Sequence, residues 1–289
     1  MDQPAADRRT LAAFALLVVL VGMNLVAIRH SNHELAPFWN AGARFILAAA
    51  IFAVIQIVLR IRAPTRSEAL GAVAYGLLAF AGFFGFLYAG LVHATAALGQ
   101  TMLALGPLVT MFLATAIGME RLRGRALVGA AISLAGVALS IGAASALNVP
   151  LTSMVALAAA ATSFAAGTIV SRRLRASEPV TQNVIATLVG GVVLLTISAA
   201  AGEPWVLPIS PSVWLAFAYL VVPGTIVVFL LFLYVLRRWT PTAVSYQFVL
   251  APIVSIGLAA LLLHESVSPS LAVGVALVLA GVYVGAIAQ

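Results

Sequence analysis

Leu105-Gly106-Pro107-Leu108-Val109-Thr110 and Leu250-Ala251-Pro252-Ile253-Val254-Ser255 are one apolar phrase written twice, 145 residues apart. At the same offset Glu120 meets Glu265, Gly129 meets Gly274 and Gly136 meets Gly281, with no gap. Glycine matches arise readily in sequence this apolar. Proline and glutamate are scarcer here, and their agreement marks an internal repeat. The 289 residues therefore read as two copies of one unit, 1–146 and 147–289.

Composition says what the unit is made of. Apolar residues are 63% of the chain and charged residues 8%, with mean hydropathy +1.15. A soluble domain is about half apolar and about a quarter charged, so lipid must solvate most of this surface. Apolar runs fall at 11–28, 37–59, 69–91, 95–118, 125–142, 151–170, 180–200, 212–236, 242–263 and 269–287. Each is near the roughly 20 residues that cross a bilayer as a helix. They are continuously rather than alternately apolar, which argues against a β-barrel. The expected fold is an all-α membrane protein of ten transmembrane helices. The first run follows Arg8 and Arg9 as a signal peptide would, but it is long and no small-x-small cleavage site follows; it reads as the first span. With no Cys in the chain, disulfides and thiolate metal sites are excluded.

The net charge of +7 does not form a nucleic-acid-binding face, because the basic residues stand singly between apolar runs. With the N-terminus in the cytoplasm, that side receives Arg8, Arg9, Arg60, Arg62, Arg66, Arg121, Arg123, Arg125, Arg172, Arg173, Arg175, Arg237 and Arg238. The other side receives only Arg29, and Arg44 lies within a span. Positive charge is retained on the cytoplasmic side, so both termini are placed there. Half of ten is odd, so the second unit enters the membrane in the opposite sense. Inverted repeats of this kind are the architecture of secondary carriers, with substrate bound near the midplane.

Gly22-Met23-Asn24 in the first helix, Ala43-Arg44-Phe45 in the second, and Leu105-Gly106-Pro107-Leu108 with Gly118-Met119-Glu120-Arg121 carry a family likeness. Together with the repeat they resemble the drug/metabolite transporter superfamily, and within it the ten-helix EamA branch. The resemblance implies a multi-pass carrier of the bacterial inner (plasma) membrane without a cofactor. Its members mostly export amino acids, drugs, sugars, nucleotide sugars or other metabolites. Two departures stand out: Val21 precedes the glycine of the first helix, and Phe164-Ala165 stands in the sixth, where Trp is usual.

Arg44 follows the start of the second helix at Pro37 by seven residues, so it lies about 10 Å into the span. A charge there must face a cavity or a partner. It reads as an anchor for an anionic substrate group, or as a clamp on carbonyls of a broken helix, or as a snorkelling side chain. Pro107 and Pro252 each delete a mid-span i→i−4 bond and read as hinges or as static kinks. Gln100, Tyr246 and Gln247 precede those prolines, and Asn24 and Tyr88 sit within spans; all five are candidates to line a cavity, or else to join helices. His93 stands near Tyr88 and Gln100 in sequence, at the outer end of its helix. Glu120 and Glu265 end their helices and read as structural clamps. Gly129, Gly136, Gly274 and Gly281 are spaced by seven on one helical face, which suits close packing within the chain or between two copies.

The acidic residues are Asp2, Asp7, Glu34, Glu68, Glu120, Glu178, Glu203 and Glu265, and none lies mid-span. Proton- and sodium-coupled carriers commonly use an intramembrane carboxylate. The expected activity is therefore facilitated diffusion or exchange of an anionic or zwitterionic metabolite, in the direction of export, by a monomer or homodimer. A multidrug or hydrophobic-compound exporter and a channel-like pore are the alternatives. His-Glu-x-x-His and paired intramembrane Asp are absent from the sequence, and an intramembrane enzyme is not expected.

Overall fold

The computed structural model describes residues 8–119, 124–146, 149–174, 177–262 and 269–284; within them all regular structure is helical. The segments are α1 (Arg8–Ser31), α2 (Pro37–Val58), α3 (Arg66–Leu91), α4 in two pieces (Ala96–Leu103 and Gly106–Ala116) and α5 (Gly124–Ala146). After them come α6 (Leu151–Arg173), α7 (Pro179–Ala200), α8 (Pro211–Leu236), α9 in two pieces (Pro241–Ser245 and Gln247–Leu262) and α10 (Pro269–Val282). Seven of these are long and apolar enough to cross a bilayer: α1, α2, α3, α4, α6, α7 and α8. The remaining segments cover the expected fifth, ninth and tenth runs. Their apolar stretches are shorter: Leu127–Leu139 in α5, Ala272–Gly281 in α10, and the 16 residues of Gln247–Leu262 in α9. Glu120 and Glu265 lie outside the described residues.

Local sequence sets the helix ends. Thr65 and Glu68 form a capping box at α3: the hydroxyl accepts from the Glu68 amide and the carboxylate from the Thr65 amide. Pro37, Pro179 and Pro211 open α2, α7 and α8, where a missing N–H costs nothing. Inside α3 and α8 the α-helical register gives way to π turns at Gly76–Gly82 and Val222–Val227. Hydroxyls serve carbonyls at both: Ser163 donates to Leu78 O and Thr225 to Leu220 O, each at 2.8 Å. A π turn inserts one residue into a helix and commonly marks a functional position.

Helix pairs α2/α7 and α5/α10 are among the most extensive packings. In each, the partners hold the same place in the two units. Gly136 abuts Gly274, where an added Cβ would stand 2.6 Å from the Gly274 oxygen; reciprocally, a Cβ on Gly281 would stand 2.5 Å from the Gly129 oxygen. Several residues meet their own counterpart, 145 positions away. Ser133 Oγ donates to Val278 O at 3.3 Å, the Phe84 and Phe229 rings lie 6.1 Å apart, and Ile46 Cδ1 would be 2.9 Å from a Cβ on Gly191. A residue can touch its own copy only on the axis relating the copies. These pairs trace a pseudo-two-fold line from α2/α7 through α3/α8 to α5/α10.

Candidate functional site

That line passes through a small cavity at the centre of the bundle. Val21, Asn24, Leu25, Ile28, Leu87 and Val228 line it with Gln247 and six phenylalanines: Phe83, Phe84, Phe164, Phe229, Phe232 and Phe248. The rings pack edge to face in a continuous cluster, with Phe164 to Phe248 at 4.7 Å and Phe83 to Phe164 at 5.0 Å between centroids. Such pairs add roughly 0.5–1.5 kcal/mol each beyond area burial. The cavity measures about 30 Å³. A water needs about 10–15 Å³ on such a measure, so the space takes a water or two and no metabolite. The chamber is constricted in this conformation.

The α9 break reaches the chamber through Gln247 and Phe248, and the α4 break packs behind it on the Phe248 ring. In α4 the helix parts at Ala104 and Leu105, just before Pro107, and in α9 at Tyr246, six residues before Pro252. Gly106, at the α4 break, lies against the ring of Phe248, just beyond the α9 break; a Cβ there would be 3.0 Å from Phe248 Cδ2. Both prolines are buried.

Arg44 is fully buried behind the Phe84 wall. Its Nε donates to Thr225 Oγ1 and its Nη2 to Gly224 O, each at 2.7 Å, and Nη1 reaches Tyr88 OH at 3.3 Å. Its carbon Cζ stands 5.0 Å from the Phe84 ring centroid and 5.1 Å from that of Phe45, within cation–π range. Every one of these partners is neutral. Gly224 O accepts a second bond from Asn24 Nδ2 at 3.0 Å. The guanidinium and the amide thus hold one carbonyl of the α8 π turn, and a Cβ on Gly224 would displace Asn24 Oδ1. The cradle is one-sided: the position 145 residues after Arg44 is Val189.

The structure separates the residues that the sequence suggested for one site. Asn24 and Gln247 line the cavity, and their oxygens, Asn24 Oδ1 and Gln247 Oε1, are buried acceptors with no donor. Arg44 and Tyr88 sit one layer back. Gln100 is fully buried with both amide atoms unpartnered, and it is not among the lining residues. Tyr246 is half-buried beside the core, also off the lining, and His93 is exposed. The phenylalanine cage escaped sequence reading apart from Phe164. The offset that aligns the prolines would have paired Phe84 with Phe229. Among the described residues no cluster of three or more His, Asp or Glu could hold a metal.

Two carboxylates lie at the end of the bundle opposite the arginine-rich end. Glu203, before α8, accepts from the Phe38 and Trp39 amides at 3.2 and 2.8 Å and so caps α2. Glu34, before α2, accepts from the Ile209 and Ser210 amides and caps α8. Each unit's acidic loop thus caps a helix of the other, where the dipole favours an anion. Hydrogen bonds from Ser210, then Ile209, hold the Glu34 carboxyl below its ordinary range. Trp39 stacks on Trp205 at 4.9 Å and donates to Val206 O, closing the same end. Arg29 caps α3 by donating to Leu91 O and Val92 O.

A narrow chamber on the repeat axis, with two broken helices packed at or behind its wall in an apolar helical bundle, has the architecture of a membrane transporter of the internal-repeat type. The EamA-like transporter family matches residues 9–142 and 151–286, and the chain belongs to it. It is 29% identical over 282 residues to a protein of Salmonella typhimurium named "Probable amino-acid metabolite efflux pump", covering 93% of this chain and 92% of the relative. An Escherichia coli K12 protein of the same name is 29% identical over 284 residues, with the same coverage. "Uncharacterized inner membrane transporter YedA" of Escherichia coli K12 is 29% identical over 247 residues, 85% of this chain and 79% of that one. A crystal structure superposes with TM-score 0.72 at 20% identity, covering 96% of this chain and 97% of its own; that likeness shows the fold.

Proposed function

We propose that the protein exports a small amphipathic metabolite, an amino acid or similar solute, across the inner membrane by alternating access, as a facilitator or exchanger. In this reading ten spans form two inverted five-helix units, 1–146 and 147–289, with both termini and the arginine-rich end in the cytoplasm. The observation that carries it is the narrow chamber on the pseudo-two-fold axis, with α9 broken at Tyr246, beside Gln247 of its wall, and α4 broken just before Pro107 behind Phe248. Rocking one unit against the other about that axis would open one mouth as the other shuts, with the breaks as hinges.

The lining supports an amphipathic solute. Asn24 Oδ1 and Gln247 Oε1 are acceptors awaiting a donor, which suits an ammonium group, while the phenylalanines suit an apolar body. Arg44 adds positive potential from behind Phe84, which favours a carboxylate at the same site. The names of the relatives agree with this class. Counterflow in proteoliposomes tests it: apolar amino acid inside should accelerate uptake of labelled amino acid from outside. Flux that neither saturates nor responds to solute on the far side would mean a pore and would refute the reading.

The six-ring lining also favours a second reading, export of hydrophobic compounds. Competition by an amphipathic amine that lacks a carboxylate, as strong as that by the amino acid, would select it.

A further inference from the structure

At the arginine-rich end, a second pocket of about 160 Å³ opens between α6, α7 and α8, lined by Ser171, Arg172, Gln182, Leu233, Leu236 and Arg237. Two of its side chains are built in rather than adventitious. Gln182 and Ser171 are buried, and Gln182 Nε2 donates to Ser171 Oγ at 2.7 Å. Arg172 spends one N–H on Leu236 O at 2.8 Å, and Arg237 Nη2 donates to Ser177 O. Each guanidinium carries five N–H donors, so both have donors to spare. Glu178 forms an ion pair with Arg237 at 3.8 Å, longer than a direct hydrogen bond; it is half exposed and not among the lining residues. Glu178 is also the N-cap of α7 and makes no side-chain capping bond, so the first amides of that helix take no hydrogen bond from it. Ser177 Oγ, next to the carbonyl that Arg237 holds, is buried without a partner.

The other end of the bundle supplies a comparison. Arg29 donates to Leu91 O as Arg172 does to Leu236 O, and the two carbonyls are 145 residues apart. The pocket there includes Arg29, Val92 and Glu34. At the arginine-rich end the position matching Val92 is Arg237, and no acid lines the pocket. One lining therefore holds one arginine and an acid, the other two arginines and no acid, with Glu178 reaching Arg237 from outside it.

We propose that the pocket of Arg172, Gln182 and Arg237 binds a phosphate group, from the headgroup of an anionic phospholipid or from free phosphate. Basic pockets between membrane helices on the cytoplasmic side suit anionic headgroups. Its volume suits one phosphate rather than a whole metabolite, whose pockets run to about 300 Å³ or more. The cytoplasmic placement rests on the orientation proposed above; the phosphate chemistry does not, and neither does it depend on the transported solute.

Native mass spectrometry of the purified full chain tests this with three probes: phosphatidylglycerol, phosphatidylcholine and inorganic phosphate. Wild type should retain phosphatidylglycerol over phosphatidylcholine. Arg172→Gln/Arg237→Gln should lose retention by about ten- to thirtyfold, the weight of two arginines near a charged lipid surface. Arg173→Gln, an exposed arginine off the pocket, should retain it. Arg172→Lys/Arg237→Lys keeps the charge and should bind in part, which separates site loss from misfolding. Selective adducts of inorganic phosphate without a phosphatidylglycerol preference, lost in the double variant, would assign the site to free phosphate. No preference for either phosphate probe in wild type, or retention unchanged in Arg172→Gln/Arg237→Gln, would overturn the proposal.

Discussion

Substituting Gly281 by alanine should push α5 and α10 apart, and the structure sets how far. A Cβ on Gly281 would stand 2.5 Å from both Gly129 O and Ser133 N, whereas ordinary contact begins near 3.4 Å. Both neighbours are backbone, so the helices must separate by roughly an ångström rather than turn a side chain aside. Overpacking of this kind costs about 1–3 kcal/mol, against the ~1 kcal/mol that alanine gains over glycine in a helix. Net destabilisation is expected, measured as thermal inactivation of the detergent-purified protein. Gly136→Ala meets the mirrored obstacle at Gly274 O and Val278 N and should cost a similar amount. The double variant should cost little more than the worse single one, because the second methyl enters a gap that the first has opened. Gly257→Ala, also helical but with nothing within 4 Å, is the internal control and should be neutral or stabilising. Fully additive losses, or a tolerated Gly281→Ala, would refute the idea that one shared interface sets the spacing of these helices.

Other predictions follow from the central cradle and the loops. Arg44→Gln should lower stability by about 1–3 kcal/mol: two short charge-assisted bonds go, yet Gly224 O keeps Asn24 and Thr225 keeps Leu220. Thermal-shift assays in detergent check the value, and Arg44→Lys should not restore it, since one ammonium cannot replace the fork. Gln247→Leu should raise the KM for an amino-acid substrate about tenfold in proteoliposomes, the weight of one hydrogen bond to a charged group. Glu34 has its folded pKa below the ordinary 4.5, so its capping contribution is present above that value and is lost as pH falls through the lower folded one. Protection of the Ile209 and Ser210 amides, taken relative to their intrinsic exchange rates, should fall over that acidic range, and Glu34→Gln should abolish the dependence.

The membrane class and the family were legible because both are written in features that survive without neighbours: long apolar runs, and a proline and a glutamate recurring at one offset. What stayed hidden depends on partners distant in sequence. Arg44 announces a buried charge, but Gly224 and Thr225, about 180 residues away, decide that it holds a π-turn carbonyl from behind the chamber wall. The π turns themselves were invisible, since an inserted residue changes neither composition nor apolar length. Phenylalanine reads alike whether it faces lipid or a cavity, so Phe83, Phe229, Phe232 and Phe248 carried no signal of their own. Tyr88, Gln100 and His93 are neighbours in sequence, but they divide among the Arg44 cradle, a separate buried site and the exposed surface.

The contacts on the axis bear on why the two units share one chain. In a dimer of identical five-helix subunits, an axial position must accept its own twin: isoleucine would face isoleucine, or glycine would face glycine. Here Ile46 is a knob in the hole left by Gly191, and the Ser133 hydroxyl finds the backbone carbonyl of Val278 rather than a second serine. Of these three axial pairs, Phe84 and Phe229 alone keep the match that a symmetric ancestor would require. Joining the copies end to end released the axis from self-complementarity. It also let a lone arginine stand on one side of the chamber, where a strict dimer would have been forced to bury two.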